Sequence, residues 1–216
     1  MFDEIVLPVL MGLPLTLILS ISGFAIGFIA AIPLSLASVS SLRPIHALAQ
    51  LVIWVERGIP PLVWLMMLYF GVQIGDIQLS SLQAGILGLS IESMGYLSEI
   101  LRSGFLAVPR GQYEASQALG LRYVSRYSRV IFPQAIHAMT PSLTTYFIGL
   151  LKDSTLASAI GVGEMAFQAS AVSRQSSSVG VTPFFVAAVF FILISVPVAV
   201  ATRRLEGSRQ SGRGAR

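Results

Sequence analysis

The chain has 216 residues, of which 54% are hydrophobic and 11% are charged, and its mean hydropathy is +0.77. Soluble globular domains contain about 25% charged residues, so this chain has too few charges to keep a whole surface in water. The composition argues against a soluble enzyme, a nucleic-acid-binding protein and a disordered chain. It predicts an all-α bundle of membrane-spanning helices. The absence of cysteine excludes a disulfide framework and a thiolate metal site.

Long gaps between charged residues indicate the spans, because a helix needs about 20 apolar residues to cross the hydrocarbon core. No charge occurs between Glu4 and Arg43, which fits one long helix better than two. We expect a single membrane domain, 1–205, followed by a flexible basic tail, 206–216. The predicted spans are about 10–40, 59–78, 82–105, 135–156 and 181–201. A sixth span over 154–172 stays open as an alternative.

The basic residues indicate the orientation, because Lys and Arg concentrate in cytoplasmic segments. With the N-terminus outside, the inner segments hold two arginines before the second span, five around the longest loop and five in the tail. These are Arg43, Arg57, Arg102, Arg110, Arg122, Arg126, Arg129, Arg203, Arg204, Arg209, Arg213 and Arg216. The sequence therefore predicts an outside N-terminus and an inside C-terminus.

The longest polar stretch between spans, 106–134, has the pattern of two short helices. Pro109 precedes the first, Gly120 stands at the position of a helix C-cap, and Pro133 ends the second amphipathic run. The predicted result is a compact cytoplasmic two-helix loop with a strongly basic charge. Such a loop either lies on anionic headgroups or docks on a partner protein.

The spacing within this loop is specific. Glu114-Ala115-Ser116 is followed after three residues by Gly120, and after nine more by Val130-Ile131-Phe132-Pro133. This run resembles the EAA loop of permeases from ATP-binding-cassette importers. Ser, Val and Phe stand where the family pattern has Ala, Ile and Leu, and the spacing is kept.

Five segments in all resemble the permeases of polar amino-acid importers, in the same order along the chain. They are Arg57-Gly58-Ile59-Pro60-Pro61-Leu62, Tyr96-Leu97-Ser98-Glu99-Ile100-Leu101-Arg102-Ser103-Gly104, Gly111-Gln112-Tyr113-Glu114-Ala115, Phe132-Pro133-Gln134-Ala135 and Lys152-Asp153-Ser154-Thr155-Leu156. Together they cover about 55–165. The chain is identified as resembling the membrane subunit of such an importer.

The resemblance implies a multi-pass transport subunit of the cell membrane, in contact with membrane lipid and not itself an enzyme. Its implied partners are two cytosolic ATP-binding subunits, a second permease copy or similar chain, and an extracytoplasmic amino-acid-binding protein. ATP and magnesium are expected in the ATP-binding partner, because this chain has no Gly-x-x-x-x-Gly-Lys-Ser/Thr run. No cofactor, no metal and no nucleic acid are expected for this chain.

The resemblance also assigns residues to the coupling with the ATP-binding partner. These are Glu114, Ala115, Ser116, Gly120 and Pro133. Gly120 is expected to need a positive φ in order to turn the chain between the two helices. For Glu114 a structural role stays open, since a carboxylate in the first turn also stabilises its own helix.

Glu92 lies within an apolar span, where a carboxylate costs about 2.5–3.5 kcal/mol, so it should face the bundle interior. It either lines the translocation path, in contact with a substrate amino group, or makes an interhelical hydrogen bond. Candidate path or gate residues are Glu92, Tyr96, Glu99 and Arg57. Glu99 is alternatively an i,i+3 partner of Arg102.

Two further positions have two interpretations each. Arg57 is alternatively an anchor that reaches the cytoplasmic headgroups. Lys152 and Asp153 either neutralise each other or form an assembly interface. In the first span, Gly23 and Gly27 have the small-xxx-small spacing of a helix-packing face.

Two other classes of protein compete with the importer permease. An intramembrane enzyme is disfavoured, because the chain has neither a Gly-x-Ser-x-Gly nor a His-Glu-x-x-His pattern. The alternative is an ATP-independent secondary carrier or channel for small polar solutes, which would not need a basic two-helix loop. The identity of the solute stays open.

Overall fold

The computed structural model describes residues 2–74, 77–175 and 178–210, and almost all of this part of the chain is helical. The all-α prediction is thus confirmed, apart from one antiparallel pair of two-residue strands, β1 (Gln73–Ile74) and β2 (Ile77–Gln78). The α-helices of the described residues are α1 (Leu7–Met11), α2 (Leu13–Ser38), α3 (Arg43–Gly58), α4 (Pro61–Gly71), α5 (Ser81–Leu106), α6 (Arg110–Ala118), α7 (Tyr123–Arg126), α8 (Phe132–Asp153), α9 (Met165–Gln175) and α10 (Thr182–Gln210). Phe2–Val6 and Tyr127–Ile131 are π-helical, and Ser154–Ile160 is a 3-10 helix.

The centre of the bundle is the contact between α2 and α5. Gly23 faces Leu89 and Gly27 faces Ser93, so the two helices run in the same direction. A Cβ atom at Gly27 would lie 2.9 Å from the carbonyl oxygen of Ser90, closer than any side chain tolerates. The small-xxx-small prediction is confirmed, because only glycines allow these two backbones to approach so closely.

The structure does not form one continuous helix over 59–78, where the sequence predicted the second span. A helix begins at Arg43, runs to Gly58, and breaks before Pro60-Pro61, after which α4 continues at an angle of 93°. Proline lacks the N–H that would continue the helix, and it disfavours helical geometry in the residue before it. With 11 residues, α4 is only about 16 Å long, about half of the hydrocarbon thickness. Arg57 therefore lies inside α3 and not in a cytoplasmic loop.

Length and apolarity alone support fewer than five spans. Among the described residues, Asp3–Ser38 and Thr182–Arg204 are long and apolar enough to cross a membrane, and α3 with α4 is a third if the bent pair is one span. The helices α5 and α8 have 26 and 22 residues, but they carry more polar side chains. The polar side chains Ser90, Glu92 and Ser98 of α5 are buried within the bundle, whereas Ser142 and Thr145 of α8 are exposed.

The segment after α8 is broken, which argues against a sixth span over 154–172. Gly161 has a φ of 85° and ends the 3-10 helix, and α9 has only 11 residues. The side chain of Glu164 starts α9 by accepting hydrogen bonds from the backbone N–H groups of Ala166 and Phe167, at 2.8 and 2.7 Å.

The C-terminal boundary also differs from the prediction. Because α10 continues to Gln210, residues 206–210 are helical and do not belong to a flexible tail. The remainder of the predicted tail, 211–216, lies outside the described residues.

Candidate functional site

The first helix of the two-helix loop ends in a tight glycine turn. Gly120 has a φ of 70°, and its N–H donates to the carbonyl oxygen of Gln117 at 2.9 Å. The N–H of Leu121 donates to the carbonyl oxygen of Ser116 at 3.1 Å, which completes a Schellman motif. The predicted positive φ at Gly120 is confirmed. We call residues 110–126, which contain α6, this turn and α7, the knob.

Large apolar side chains are exposed on the knob. Leu119, Tyr123 and Val124 are 79%, 68% and 75% exposed, although they lie in a loop outside the predicted spans. Such a group is costly in water unless another surface covers it. Glu114 and Ala115 are exposed on the preceding helix. The knob therefore has the composition of a docking surface, with an apolar centre and charged residues around it.

The base of the knob is held against the end of α5. The hydroxyl group of Tyr113 donates a hydrogen bond of 3.2 Å to the carbonyl oxygen of Phe105, and its ring lies edge-on to Tyr127 with 6.3 Å between centroids. Burial raises the pKa of Tyr113, so its phenol stays protonated and able to donate. The knob is therefore connected to α5 through the hydroxyl group of Tyr113.

A second connection joins the knob to α8. The amide Nε2 of Gln134 donates to Oε1 of Gln112 at 3.1 Å and to the carbonyl oxygen of Val130 at 2.9 Å. Ile131, fully buried just before α8, packs in the same apolar cluster as Leu101 of α5. These contacts link the knob to the adjacent ends of both α5 and α8.

The five residues predicted to couple to a partner do not all have the same environment. Glu114, Ala115, Gly120 and Pro133 are exposed, and Pro133 lies in the first turn of α8. Ser116 is only 2% exposed, and its hydroxyl group donates to the carbonyl oxygen of Tyr113 at 2.8 Å. A direct contact between Ser116 and a partner is thus ruled out in this conformation, because its side chain packs inside the knob.

Inside the bundle, Glu92 is surrounded by polar groups. Its side chain is 6% exposed, and its Oε2 atom has no hydrogen-bond partner. The carboxylates of Asp153 and Glu56 are close enough to act on its charge. Nearby, the hydroxyl group of Tyr146 donates to the hydroxyl oxygen of Ser93 at 3.1 Å. The prediction that Glu92 faces the bundle interior is confirmed.

Arg57 and Tyr96, predicted separately from two motifs, are in contact. The guanidinium carbon of Arg57 lies 4.8 Å from the centroid of the Tyr96 ring, a cation–π arrangement. The Tyr96 ring also stacks with Tyr146 at 5.5 Å between centroids. Arg57 lies beside the middle of α5. This position does not fit the alternative role of an anchor that reaches the cytoplasmic headgroups.

Glu99 makes its direct contact with another residue. It forms an ion pair with Arg102, one turn further along α5, in which Nε of Arg102 donates to Oε2 of Glu99 at 2.9 Å. The i,i+3 pairing that the sequence predicted is therefore present. Lys152 is exposed beside the half-buried Asp153, and its positive charge acts on that carboxylate. Among the described residues, no group of three or more metal-ligating side chains is placed to hold a metal ion.

Sequence reasoning missed Glu56, which is 3% exposed and accepts a hydrogen bond from the backbone N–H of Gly95. Next to Arg57 it resembled the charged end of a cytoplasmic loop. The sequence does contain a pattern that indicates a buried Glu56: Ala49, Ile53 and Glu56 have the i, i+4, i+7 spacing of one helix face, and all three are buried.

Known proteins share this architecture. A family model described as "binding-protein-dependent transport system inner membrane component" matches residues 23–210. The arginine transport system permease protein ArtQ of Bacillus subtilis is 36% identical over 169 residues, covering 76% of this chain and 77% of ArtQ. The probable amino-acid permease protein YxeN of the same organism is 35% identical, covering 84% of this chain and 83% of YxeN.

Solved structures agree. A crystal structure of an amino acid ABC transporter with histidines has a TM-score of 0.84 and 31% identity, covering 93% of this chain and 94% of that chain. The MetNI methionine ABC transporter in an inward-facing conformation has a TM-score of 0.70 at 22% identity, which shows a common fold.

The fold and the two-helix loop define an importer-type membrane permease. The chain belongs to the family of inner membrane components of binding-protein-dependent transport systems. Its relatives are permease subunits of amino-acid ATP-binding-cassette importers, and the resemblance inferred from the five sequence motifs is confirmed.

Proposed function

We propose that this chain forms the translocation path of an ATP-driven importer of a polar amino acid and that the knob couples the path to cytosolic ATP-binding subunits. The observation that carries the coupling role is the exposed apolar centre of the knob. Leu119, Tyr123 and Val124 are exposed at a turn that only a positive φ at Gly120 allows. An ATP-binding partner of complementary shape would remove this surface from water.

The proposed contacts divide the predicted coupling residues by environment. Glu114 and Ala115 touch the ATP-binding subunit directly, Gly120 shapes the turn, and Pro133 begins the helix that receives the movement. Ser116 supports the contact from inside, because a small residue is needed at its buried position. Two permease chains, identical or similar, would dock on two ATP-binding subunits, which hold the ATP and the magnesium.

The proposed path runs along α5. Glu92, Tyr96 and Arg57 lie at one level of the bundle, where the carboxylate of Glu92 can attract the ammonium group of an amino acid. The ion pair of Glu99 and Arg102 lies nearer the knob end of the same helix and would form an inner gate. The pair Lys152 and Asp153, at the end of α8, would belong to the assembly interface between permease chains.

The substrate class and the remaining partner come from the relatives. ArtQ is named for arginine transport and TcyB for L-cystine transport, both from Bacillus subtilis. An amino acid with a polar side chain is the class common to these names. An extracytoplasmic binding protein would deliver it, in the cell membrane, to the outer end of the permease.

The test is uptake of labelled amino acids into vesicles that contain the permease, its ATP-binding subunit and its binding protein. Leu119→Asp is expected to abolish ATP-dependent uptake and co-purification with the ATP-binding subunit, since it introduces a charge at the apolar centre of the contact. Leu42→Asp, at a residue that is 59% exposed between α2 and α3 and outside the knob, is the matched control and should keep both. Uptake that proceeds without ATP would instead support a secondary carrier.

A further inference from the structure

The bend between α3 and α4 is attached to α5 by one buried carboxylate. Glu56 is the last buried residue of α3, and its Oε1 atom accepts a hydrogen bond of 2.7 Å from the backbone N–H of Gly95 in the middle of α5. The residues are 39 positions apart in the chain. A carboxyl oxygen can accept this hydrogen bond whether or not the group is charged, so the contact depends on the acceptor atom.

The contact requires glycine at position 95. A Cβ atom there would lie 2.7 Å from Oε2 and 2.8 Å from the carboxyl carbon of Glu56. These distances are well below ordinary contact, and Glu56 is enclosed on all sides, so its carboxylate has little room to withdraw. Glu56 and Gly95 therefore form a complementary pair: the carboxylate of Glu56 on α3 occupies the space that a side chain at position 95 of α5 would fill.

The backbone of Glu56 is also part of the bend. Its carbonyl oxygen accepts hydrogen bonds of 3.4 Å from the N–H of Ile59 and from the indole Nε1 of Trp64, the latter in the first turn of α4. The two intervening prolines supply no N–H donors. One residue thus joins the end of α3, the start of α4 and the centre of α5.

The next residue on each helix makes a contact in the proposed translocation path. Arg57 follows Glu56 and Tyr96 follows Gly95, and the guanidinium group of Arg57 lies 4.8 Å from the ring of Tyr96. Arg57 is exposed, and its long side chain has many conformations to lose when it is ordered. The buried bond between Glu56 and Gly95 fixes the backbone from which that side chain extends.

We propose that Glu56 is a positioning residue of the permease: its hydrogen bond to Gly95 holds the bend between α3 and α4 against α5 and so places Arg57 over Tyr96. This inference rests on the proposed function in one respect, namely that Arg57 and Tyr96 belong to the translocation path. Loss of the bond releases the bend and slows the transport cycle. It leaves the affinity for the solute unchanged, because the binding protein presents the solute to the permease.

The experiment measures ATP-driven uptake in vesicles containing the whole transporter, with kcat and KM determined at equal permease content. Glu56→Gln keeps a carbonyl acceptor for the Gly95 N–H and is expected to stay within about twofold of wild type. Glu56→Ala removes the acceptor and should lower kcat about tenfold at unchanged KM. Gly95→Ala should lower kcat similarly, although alanine favours the helix, because its Cβ displaces the carboxylate.

The double variant Glu56→Ala with Gly95→Ala provides the sharpest test. The methyl group then meets no carboxylate, so the double variant should have the kcat of Glu56→Ala alone and not the product of the two losses. Gly149→Ala in α8 is the matched control, since a Cβ there meets no atom within 4 Å, and it should leave uptake unchanged. If the Glu56→Ala permease fails to accumulate in the membrane, the inference is tested by comparing uptake by Gly95→Ala with uptake by Gly149→Ala.

Four results would overturn the inference: a kcat for Glu56→Gln as low as that for Glu56→Ala, additive losses in the double variant, a change in KM alone, or equal uptake by Gly95→Ala and Gly149→Ala. The first would mean that the charge of Glu56 matters and its hydrogen bond does not. Absence of ATP-driven amino-acid uptake by the wild-type transporter would instead contradict the proposed function, so the two failures are distinguishable.

Discussion

Gly120 is constrained by its backbone and not by its neighbours. Its φ is 70°, and a Cβ atom there would meet nothing within 4 Å. The left-handed conformation costs most residues about 1–2 kcal/mol, and asparagine tolerates it better. We therefore expect Gly120→Val to lower ATP-driven uptake severely and Gly120→Asn to retain much of it, at equal permease content in the membrane.

The control for this prediction is Gly149→Ala in α8, equally unobstructed but without a positive φ. It should transport like the wild type. Equal uptake by Gly120→Val and Gly120→Asn would show that the left-handed conformation is not what the turn requires. Reduced amounts of permease in the membrane, measured by immunoblot, would mean that Gly120 acts in folding and not in coupling.

Among the helices, the contact between α2 and α5 leaves the least room. At Gly27, an added methyl group would meet the carbonyl oxygen of Ser90 at 2.9 Å as well as the side chain of Ser93. Overpacking of this kind costs about 1–3 kcal/mol. Gly27→Ala is therefore expected to lower the thermal unfolding midpoint of the purified permease, whereas Gly149→Ala in α8 should not. Indistinguishable midpoints would show that α2 and α5 can separate at little cost.

The charge pattern predicted most of the helices but not the packing between them. Long apolar runs located α2 and α10, and α5 was found to within one residue at each end, because its length is set by the membrane. The helix α3 was missed because its charges, Arg43 at one end and Glu56 with Arg57 at the other, resemble a cytoplasmic loop. The sequence does show that Pro60-Pro61 breaks a helix, but not that the segment before it is helical.

The candidate site was predictable to a different degree at different positions. The turn at Gly120 follows from local spacing, because a glycine just after a helix usually adopts the left-handed conformation that ends the helix. The burial of Ser116 was not predicted, because which face of a short helix turns inward depends on Tyr113 and Phe105 beneath it. The bond between Glu56 and Gly95 joins residues that no local pattern relates, so only the folded chain reveals it.

Across the whole molecule, α5 connects the two proposed functional regions. Its centre carries Glu92, Gly95 and Tyr96, and its end carries the carbonyl of Phe105 that binds Tyr113 of the knob. It also packs against α2, α3, α4 and α8. A rigid helix with these contacts would transmit a displacement of the knob to the level of Glu92 without any local unfolding.

The orientation of the chain can be tested directly, because the chain has no cysteine of its own. Single cysteines at Asp3, Arg43 and Val124 would occupy exposed positions before α1, at the start of α3 and on the knob. With the N-terminus outside, a membrane-impermeant maleimide should label Asp3→Cys in right-side-out vesicles. It should label Arg43→Cys and Val124→Cys only after permeabilisation, since Arg43 follows one predicted crossing and Val124 follows three. Labelling of Val124→Cys in sealed vesicles would place the knob outside, where no cytosolic ATP-binding subunit can reach it, and would contradict the proposed coupling.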